Sequence, residues 1–324
     1  MAFPIEDKLV IAVASSALFR LDVADEIYRS KGLSAYRKYQ REHEDTILEP
    51  GIAFPFIRRF LKFNELFPDT QPVEVVLLSH NDPDTGNRVL RCIDHYGLGI
   101  TRSAFLTDGR PVDYIDAYNV SLFLSGNESD VRDAISSGFA AGYVLDSKLN
   151  DDGNDDELRV AFDFDGVLAD DSAEQVFQHD GIDGFWKSES SQAGVPLGPG
   201  PLADLFTKLS RLHTMEEERK SVAPDYHRFL RTAIVTARSG PAQWRLATTL
   251  RNWNITVDQT FTLGGMNKSR ILKRLRPHIY FDDQWSPHLE AAKEYTPSVH
   301  IPFGCVGDCM EKRSSVSDEQ GKES

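Results

Sequence analysis

Residues 159–168 read Arg159-Val160-Ala161-Phe162-Asp163-Phe164-Asp165-Gly166-Val167-Leu168. An apolar run that ends abruptly in acids predicts a buried strand opening into a loop. The period-two geometry of extended chain puts Asp163 and Asp165 on the same side of the segment. Open α/β sheets bind their ligands at the carboxyl ends of their strands, which is where this pair falls.

Further along the chain, a second apolar strand ends in Thr236-Ala237-Arg238 and a third in Phe281-Asp282-Asp283. Between them, Lys268 follows Gly264-Gly265 at a predicted helix start, where backbone N–H groups favour an anion. Up to four carboxylates gathered at strand ends cannot all stay ionised without a counter-charge. A hard divalent cation supplies it. Oxygen-only ligands select magnesium over zinc or copper, and magnesium takes a substrate phosphate as a further ligand.

The chain also repeats itself. An offset of 149 residues (Ala14 to Asp163), applied without a gap, aligns Ala12 with Ala161, Gly32 with Gly181, Tyr36 with Phe185, Pro50 with Pro199 and Gly51 with Gly200. An offset of 157 (Ser79 to Thr236) then aligns Arg88 with Arg245 and Tyr96 with Trp253. Each half reads as strand, loop, helices, strand, helix, strand, helix, the pattern of a mostly parallel sheet with helices on both faces. At these offsets Asp163 falls on Ala14, Asp165 on Ser16 and Thr236 on Ser79, while pairing Ser121 to Leu124 with Ile279 to Asp282, an offset of 158, puts Asp282 and Asp283 on Leu124 and Ser125. The first half is therefore the same unit with its carboxylates erased. It either completes the pocket of the second or serves as a scaffold or regulatory site.

Between the halves, the acidic stretch Asn150 to Glu157 is nearly free of apolar residues and reads as a linker. The expected organisation is a degenerate half over 1–149, a linker over 150–158, a catalytic domain over 159–306 and a disordered tail over 307–324. The full chain of 324 residues carries 36 basic against 50 acidic residues, a net charge of −14 that repels polyanions, so a nucleic-acid polymer is not an expected partner. The apolar stretch Leu9 to Phe19 follows Glu6 and Asp7, the wrong flank for a secretory signal, and is too short to span a bilayer. No membrane association is expected. Three cysteines, Cys92, Cys305 and Cys309, argue against a disulfide framework and for a reducing, cytoplasmic setting. The Cys305-x3-Cys309 spacing has no neighbouring histidine and is set aside as a zinc or redox site. A homo-oligomer is compatible with these features.

Asp163-x-Asp165 with Gly166-Val167, then Thr236, Lys268 and Asp282-Asp283, resemble in order and context the four motifs of the haloacid dehalogenase superfamily of phosphatases. More narrowly, the chain from about Leu9 to Gly304 resembles the cytosolic type-I 5′-nucleotidases. The carrying residues are Ser15-Ser16-Ala17-Leu18-Phe19, Ala53-Phe54-Pro55-Phe56, Arg231 to Arg238, and Arg276 to Gln284. One departure is the loop Asp-Phe-Asp-Gly-Val, where the animal members are expected to carry Asp-Gly-Asp-Ala-Val.

The resemblance implies two tandem Rossmann-like, haloacid-dehalogenase-like three-layer units, the first degenerate. It implies a magnesium-dependent hydrolase of nucleoside 5′-monophosphates, AMP or another purine monophosphate preferred. Asp163 would be the nucleophile and Asp165 the acid and base. Magnesium would be held by Asp163, the Asp165 carbonyl and Asp282, with Asp283 beside it. Thr236 and Lys268 would hold the phosphoryl oxygens, and Arg238 would either contact the phosphate or brace the following loop. Phe185-Trp186 lies where this superfamily inserts its cap. A planar residue there can stack on a nucleobase, although Tyr36 at the equivalent place in the erased half favours a core role for Phe185. A phosphatase of a non-nucleotide metabolite and a non-catalytic nucleotide sensor are the competing readings.

Overall fold

The structure is a computed structural model, which describes residues 4–81, 83–147, 149, 151–285, 289 and 292–304. The chain divides into two compact units between Leu158 and Arg159.

In the first unit, β1 (Leu9–Val13), β2 (Val73–Ser79), β3 (Arg102–Phe105), β4 (Val120–Ser125) and β5 (Ala141–Val144) lie in the order β3-β2-β1-β4-β5, with every neighbouring pair parallel. Every residue of β1 and β2 is buried, as expected of inner parallel strands covered on both faces. Around them run α1 (Ser15–Leu18), α2 (Asp22–Glu42), α3 (Phe54–Leu66), α4 (Pro83–His95), α5 (Val112–Ile115) and α6 (Glu128–Ser136). Helix α3 has Pro55 in its first turn, and Phe56, Ile57, Phe60 and Phe63 form its buried stripe. The Leu9–Phe19 stretch is a strand followed by one helical turn.

In the second unit, β6 (Leu158–Phe162), β7 (Leu230–Thr236), β8 (Gln259–Thr262), β9 (Ile279–Asp282) and β10 (Ser298–His300) lie in the order β10-β9-β6-β7-β8. The pairs β10–β9, β9–β6 and β7–β8 are parallel. Helices α7 (Ser172–Ser191), α8 (Ala203–Val222), α9 (Ala242–Asn252) and α10 (Ser269–Leu275) complete it. Taken from its own first strand, each unit has the order 3-2-1-4-5. The sequence pattern predicts three strands per half and misses the third and fifth, which are short and lack a continuous apolar run, as in Gln259-Thr260-Phe261-Thr262.

Backbone hydrogen bonds fix the correspondence between the units and correct the expected one. Ala14 N–H donates to the Leu124 carbonyl and Asp163 N–H to that of Phe281, both at 2.8 Å. Leu124 thus matches Phe281, so Asp282 and Asp283 match Ser125 and Gly126, one residue later than the sequence alignment predicts. The alignment is not gap-free either. Ala53 N–H meets the Ala17 carbonyl where Leu202 N–H meets that of Val167, so three residues separate Asp163 from Val167 and only two separate Ala14 from Ala17. The glycines at the 149 offset do correspond in shape: Gly32 (φ 78°) and Gly181 (φ 68°) each break a long helix, α2 and α7, with a positive φ that glycine adopts at no steric cost.

The acidic stretch between the halves is held down. Arg59, 2% exposed, donates to Asp151 Oδ2 at 3.0 Å and to the carbonyls of Asp152 (2.8 Å) and Asp155 (3.2 Å), and Lys62 pairs with Asp156. It is part of the first unit's surface rather than a free tether. Cys92 is buried and its thiol accepts from Leu48 N–H; burial pushes its pKa up. Cys305, Cys309 and the tail lie outside the described residues.

Candidate active site

At the end of β6, the Asp163 carboxylate is 4% exposed, caps its own loop by accepting from Phe164 N–H at 2.7 Å, and accepts from Lys268 Nζ at 2.5 Å. Lys268 is the residue just before α10, and its ammonium also donates to Asp282 Oδ2 at 3.0 Å. The turn after β9 orients Asp282 and Asp283. Gln284 N–H donates to Asp282 Oδ1 at 3.1 Å, and His300 Nε2 donates to the Asp283 carbonyl at 2.9 Å.

One ammonium thus faces three buried carboxylates whose oxygens lie within 4.8 Å of one another. Burial, which penalises the charged form, and the neighbouring Asp282 push Asp163 up to about 7 against the pull of Lys268. Burial, then the Asp163 and Asp282 charges, push Asp283 well above the usual carboxylate range. Lys268 is held above its ordinary value by Asp163 and Asp282, which outweigh its desolvation. Asp283 Oδ1 is buried and has no hydrogen-bond partner among the described residues. Gly166, at φ 70°, passes so close that a Cβ there would stand 2.3 Å from Asp283 Oδ2. An all-oxygen donor set with excess negative charge and an orphaned buried oxygen fits a hard divalent cation.

Asp165 stands apart from this trio. Its carboxylate is gripped by both edges of the Arg238 guanidinium, Nε to Oδ2 at 2.7 Å and Nη2 to Oδ1 at 2.6 Å. Arg238 is almost fully buried, donates through Nη1 to Glu189 and to the Ala242 carbonyl, and lies 5.2 Å above the Phe164 ring. Glu189 in turn accepts from Arg245 Nη1 at 2.8 Å. Every edge of the Arg238 fork is engaged by protein groups, which favours its bracing role over the phosphate contact. Thr236, at the tip of β7 and buried, accepts from Arg238 N–H at 3.2 Å.

Phe185 is half-buried, edge-on to Phe177 at 6.2 Å, and the Arg238 guanidinium lies 6.0 Å from its ring centre. It is a wall of the Arg238 site rather than a fully buried core residue. Trp186 is 41% exposed on α7. Sequence reading did not single out Tyr280, Glu189 or His300. Two weak signals pointed at them: Tyr280 precedes Asp282 by one period of a strand, and Glu189 falls on Gln40 at the repeat offset.

The chain matches the sequence model of the 5′-nucleotidase family over residues 1–308. It belongs to the 5′-nucleotidase family. It is also 35% identical over 297 residues to the human protein named Cytosolic 5′-nucleotidase 1B, covering 89% of this chain and 48% of that one. The chain thus spans about half the length of that curated relative. No solved structure matches it. The resemblance to the 5′-nucleotidases therefore holds over residues 1–308, and no helix among the described residues is long and apolar enough to cross a membrane.

Proposed function

We propose that the second unit is a magnesium-dependent 5′-nucleotidase, a phosphoric monoester hydrolase that releases phosphate from nucleoside 5′-monophosphates, with AMP or another purine monophosphate preferred. The observation that carries this reading is the buried trio of Asp163, Asp282 and Asp283 around Lys268, at the strand ends of a 5′-nucleotidase family member. The name of the human relative supports the activity and a cytosolic setting.

In this reading an Asp163 carboxylate oxygen attacks phosphorus in line, and a P–O bond forms as the bond to the ribose oxygen breaks. Asp165 gives its proton to that leaving oxygen. Water then attacks the aspartyl phosphate, its proton passes back to Asp165, and phosphate and free Asp163 result. Lys268 already stands beside the attacking oxygen and, with the Thr236 hydroxyl, holds the phosphoryl oxygens. Asp163, Asp282, Asp283 and the Asp165 carbonyl would hold magnesium, which when bound neutralises charge on the transferring group.

The first unit is, in this reading, a degenerate haloacid-dehalogenase-like copy in tandem with the second. It has the same strand order and carries Ala14, Ser125 and Gly126 where the second carries Asp163, Asp282 and Asp283.

The test is phosphate release from a panel of nucleoside monophosphates and sugar phosphates, with and without magnesium, using wild type and Asp163→Asn. Magnesium-dependent release from a nucleotide that vanishes in the variant is expected. Release from sugar phosphates alone overturns the substrate class, and release by Asp163→Asn overturns the nucleophile.

A further inference from the structure

The row Asp165–Arg238–Glu189–Arg245 alternates in sign and is closed at every contact described above, with Glu189 and the Arg238 side chain each only 1% exposed. Burying such a row is expensive, and well-packed neutral groups serve a fold as well or better. The first unit keeps a single charge of the four. At the same offsets, Asn81 stands for Arg238, Gln40 for Glu189 and Arg88 for Arg245. There Asn81 donates to Ser15 Oγ at 3.1 Å and accepts from Tyr36 Oη at 2.9 Å. Gln40 donates to Tyr36 Oη at 3.0 Å and accepts from Arg88 Nη1 at 3.1 Å.

Two charges thus change together, Arg238 to Asn81 and Glu189 to Gln40, in the unit whose loop offers Ser15 and Ser16 instead of Phe164, Asp165 and Gly166. The third position keeps a guanidinium in both units, where Arg88 donates to the Thr46 carbonyl at 2.9 Å and Arg245 to the Val195 carbonyl at 3.0 Å, so that member serves the fold. Arg238 and Glu189 are the members that go with the acid.

We infer that Arg238 and Glu189 are positioning residues for Asp165: Glu189 fixes the guanidinium plane, and the guanidinium's two-point grip fixes the carboxylate that handles the leaving group's proton. This rests on the acid–base reading of Asp165 proposed above. A carboxylate held by one flexible contact would sample several rotamers, whereas a bidentate fork allows one. Glu189, itself held by Arg245, keeps the fork from rotating with its own side chain.

The test uses full-length Arg238→Met, Glu189→Gln and Asp165→Asn, with kcat/KM measured for a nucleoside monophosphate and for p-nitrophenyl phosphate. The phenolate departs without a proton, and kcat/KM reports the steps up to its departure. Asp165→Asn is expected to lose about 10²–10⁴-fold on the nucleotide and far less on the aryl phosphate. Arg238→Met is expected to show the same split, and Glu189→Gln a smaller one of about 10-fold to 10²-fold, the order a misplaced group costs. Adding Arg238→Met to Asp165→Asn is expected to cost nothing further. Glu189→Gln is a fair probe because Gln40 beside Arg88 shows that this framework accepts the amide.

Equal losses on both substrates in Arg238→Met and Glu189→Gln, with a split in Asp165→Asn, overturn the inference and make the pair structural. No split in Asp165→Asn overturns the acid–base reading itself, and the inference with it. If Arg238→Met does not fold, Glu189→Gln with Arg238→Lys, which keeps the charge and loses the fork, decides the matter by the same ratio.

Discussion

The Tyr280 hydroxyl donates to Asp282 Oδ2 across 2.5 Å, from two residues earlier on the same face of β9. Burial, and then the charges of Asp282 and Asp163, push the phenol pKa far up, so it remains a donor. In the first unit Phe123 and Ser125 occupy the corresponding places, and hydroxyl and carboxylate are absent together. Tyr280→Phe is therefore expected to fold normally, since the ring already fits there in the sister unit, and to weaken magnesium binding about 10-fold to 100-fold, the usual effect of removing a ligand's orienting partner. Isothermal titration with magnesium checks this. Unchanged affinity would show that Asp282 needs no such support.

Lys268 is the sole cation among the described residues with a recorded bond to the Asp163–Asp282 pair. Lys268→Met leaves buried carboxylates without it and is expected to cost about 3–5 kcal/mol in the ion-free protein. Added magnesium should restore much of the loss, as read by denaturant unfolding with and without the ion. A variant that is equally unstable in both conditions would place the defect in packing.

Without a metal ion, burial and the neighbouring Asp282 push Asp163 up to about 7 despite the Lys268 ammonium. A carboxyl whose folded pKa lies above its unfolded value of 3.8 contributes stability that is complete below about 3.8 and is lost as pH rises through about 7. The proposed magnesium would bind the ionised form, displacing protons at low pH and meeting none at high pH. The rise in Tm on adding magnesium is therefore expected to be larger at pH about 8 than at pH about 5. A pH-independent rise would mean that the trio is ionised throughout.

Arg59 is the anchor of the 151–156 segment, through Asp151 and two carbonyls. Arg59→Met is expected to release the segment and to destabilise the first unit by about 1–3 kcal/mol, since Asp151 and the Asp152 and Asp155 carbonyls lose a donor. Limited proteolysis should then cut within 151–156 at protease concentrations that leave wild type intact. Equal resistance would mean that Arg58 and Lys62 suffice.

The inner strands and the acidic strand ends were legible because both signals are local: a continuous apolar run predicts a strand covered on both faces, and an acid directly after it predicts a ligand-facing tip. Lys268 was legible from its two glycines, although its partners in the structure are Asp163 and Asp282. The edge strands β3 and β8 were not legible, because half-exposed strands of four residues have no distinct periodicity. Glu189 was hidden because a buried acid within a mostly polar helix looks, in sequence, like any solvated one. Its partners Arg238 and Arg245 are separated from it by 49 and 56 residues and meet it only through the fold. The one-residue slip at Asp282 arose because two neighbouring apolar strands align almost equally well in either register until a hydrogen bond chooses.

The carboxylate-free network of the first unit and the acid cluster of the second should respond differently to heat. Ser15, Ser79, Asn81, Tyr36 and Gln40 bond to one another and to the Arg88 guanidinium, with no carboxylate among them. The second unit gathers three carboxylates around one ammonium that bonds two of them, and leaves Asp283 Oδ1 without a partner among the described residues. If the proposed magnesium site is right, the cohesion of the first should be indifferent to dissolved cations and that of the second should depend on them. Calorimetry in a chelator should reveal the second unit as the earlier of two transitions. Metal should move that transition upward towards the other while leaving the other where it stood, so that the chain carries its own internal reference for how tightly the ion is held.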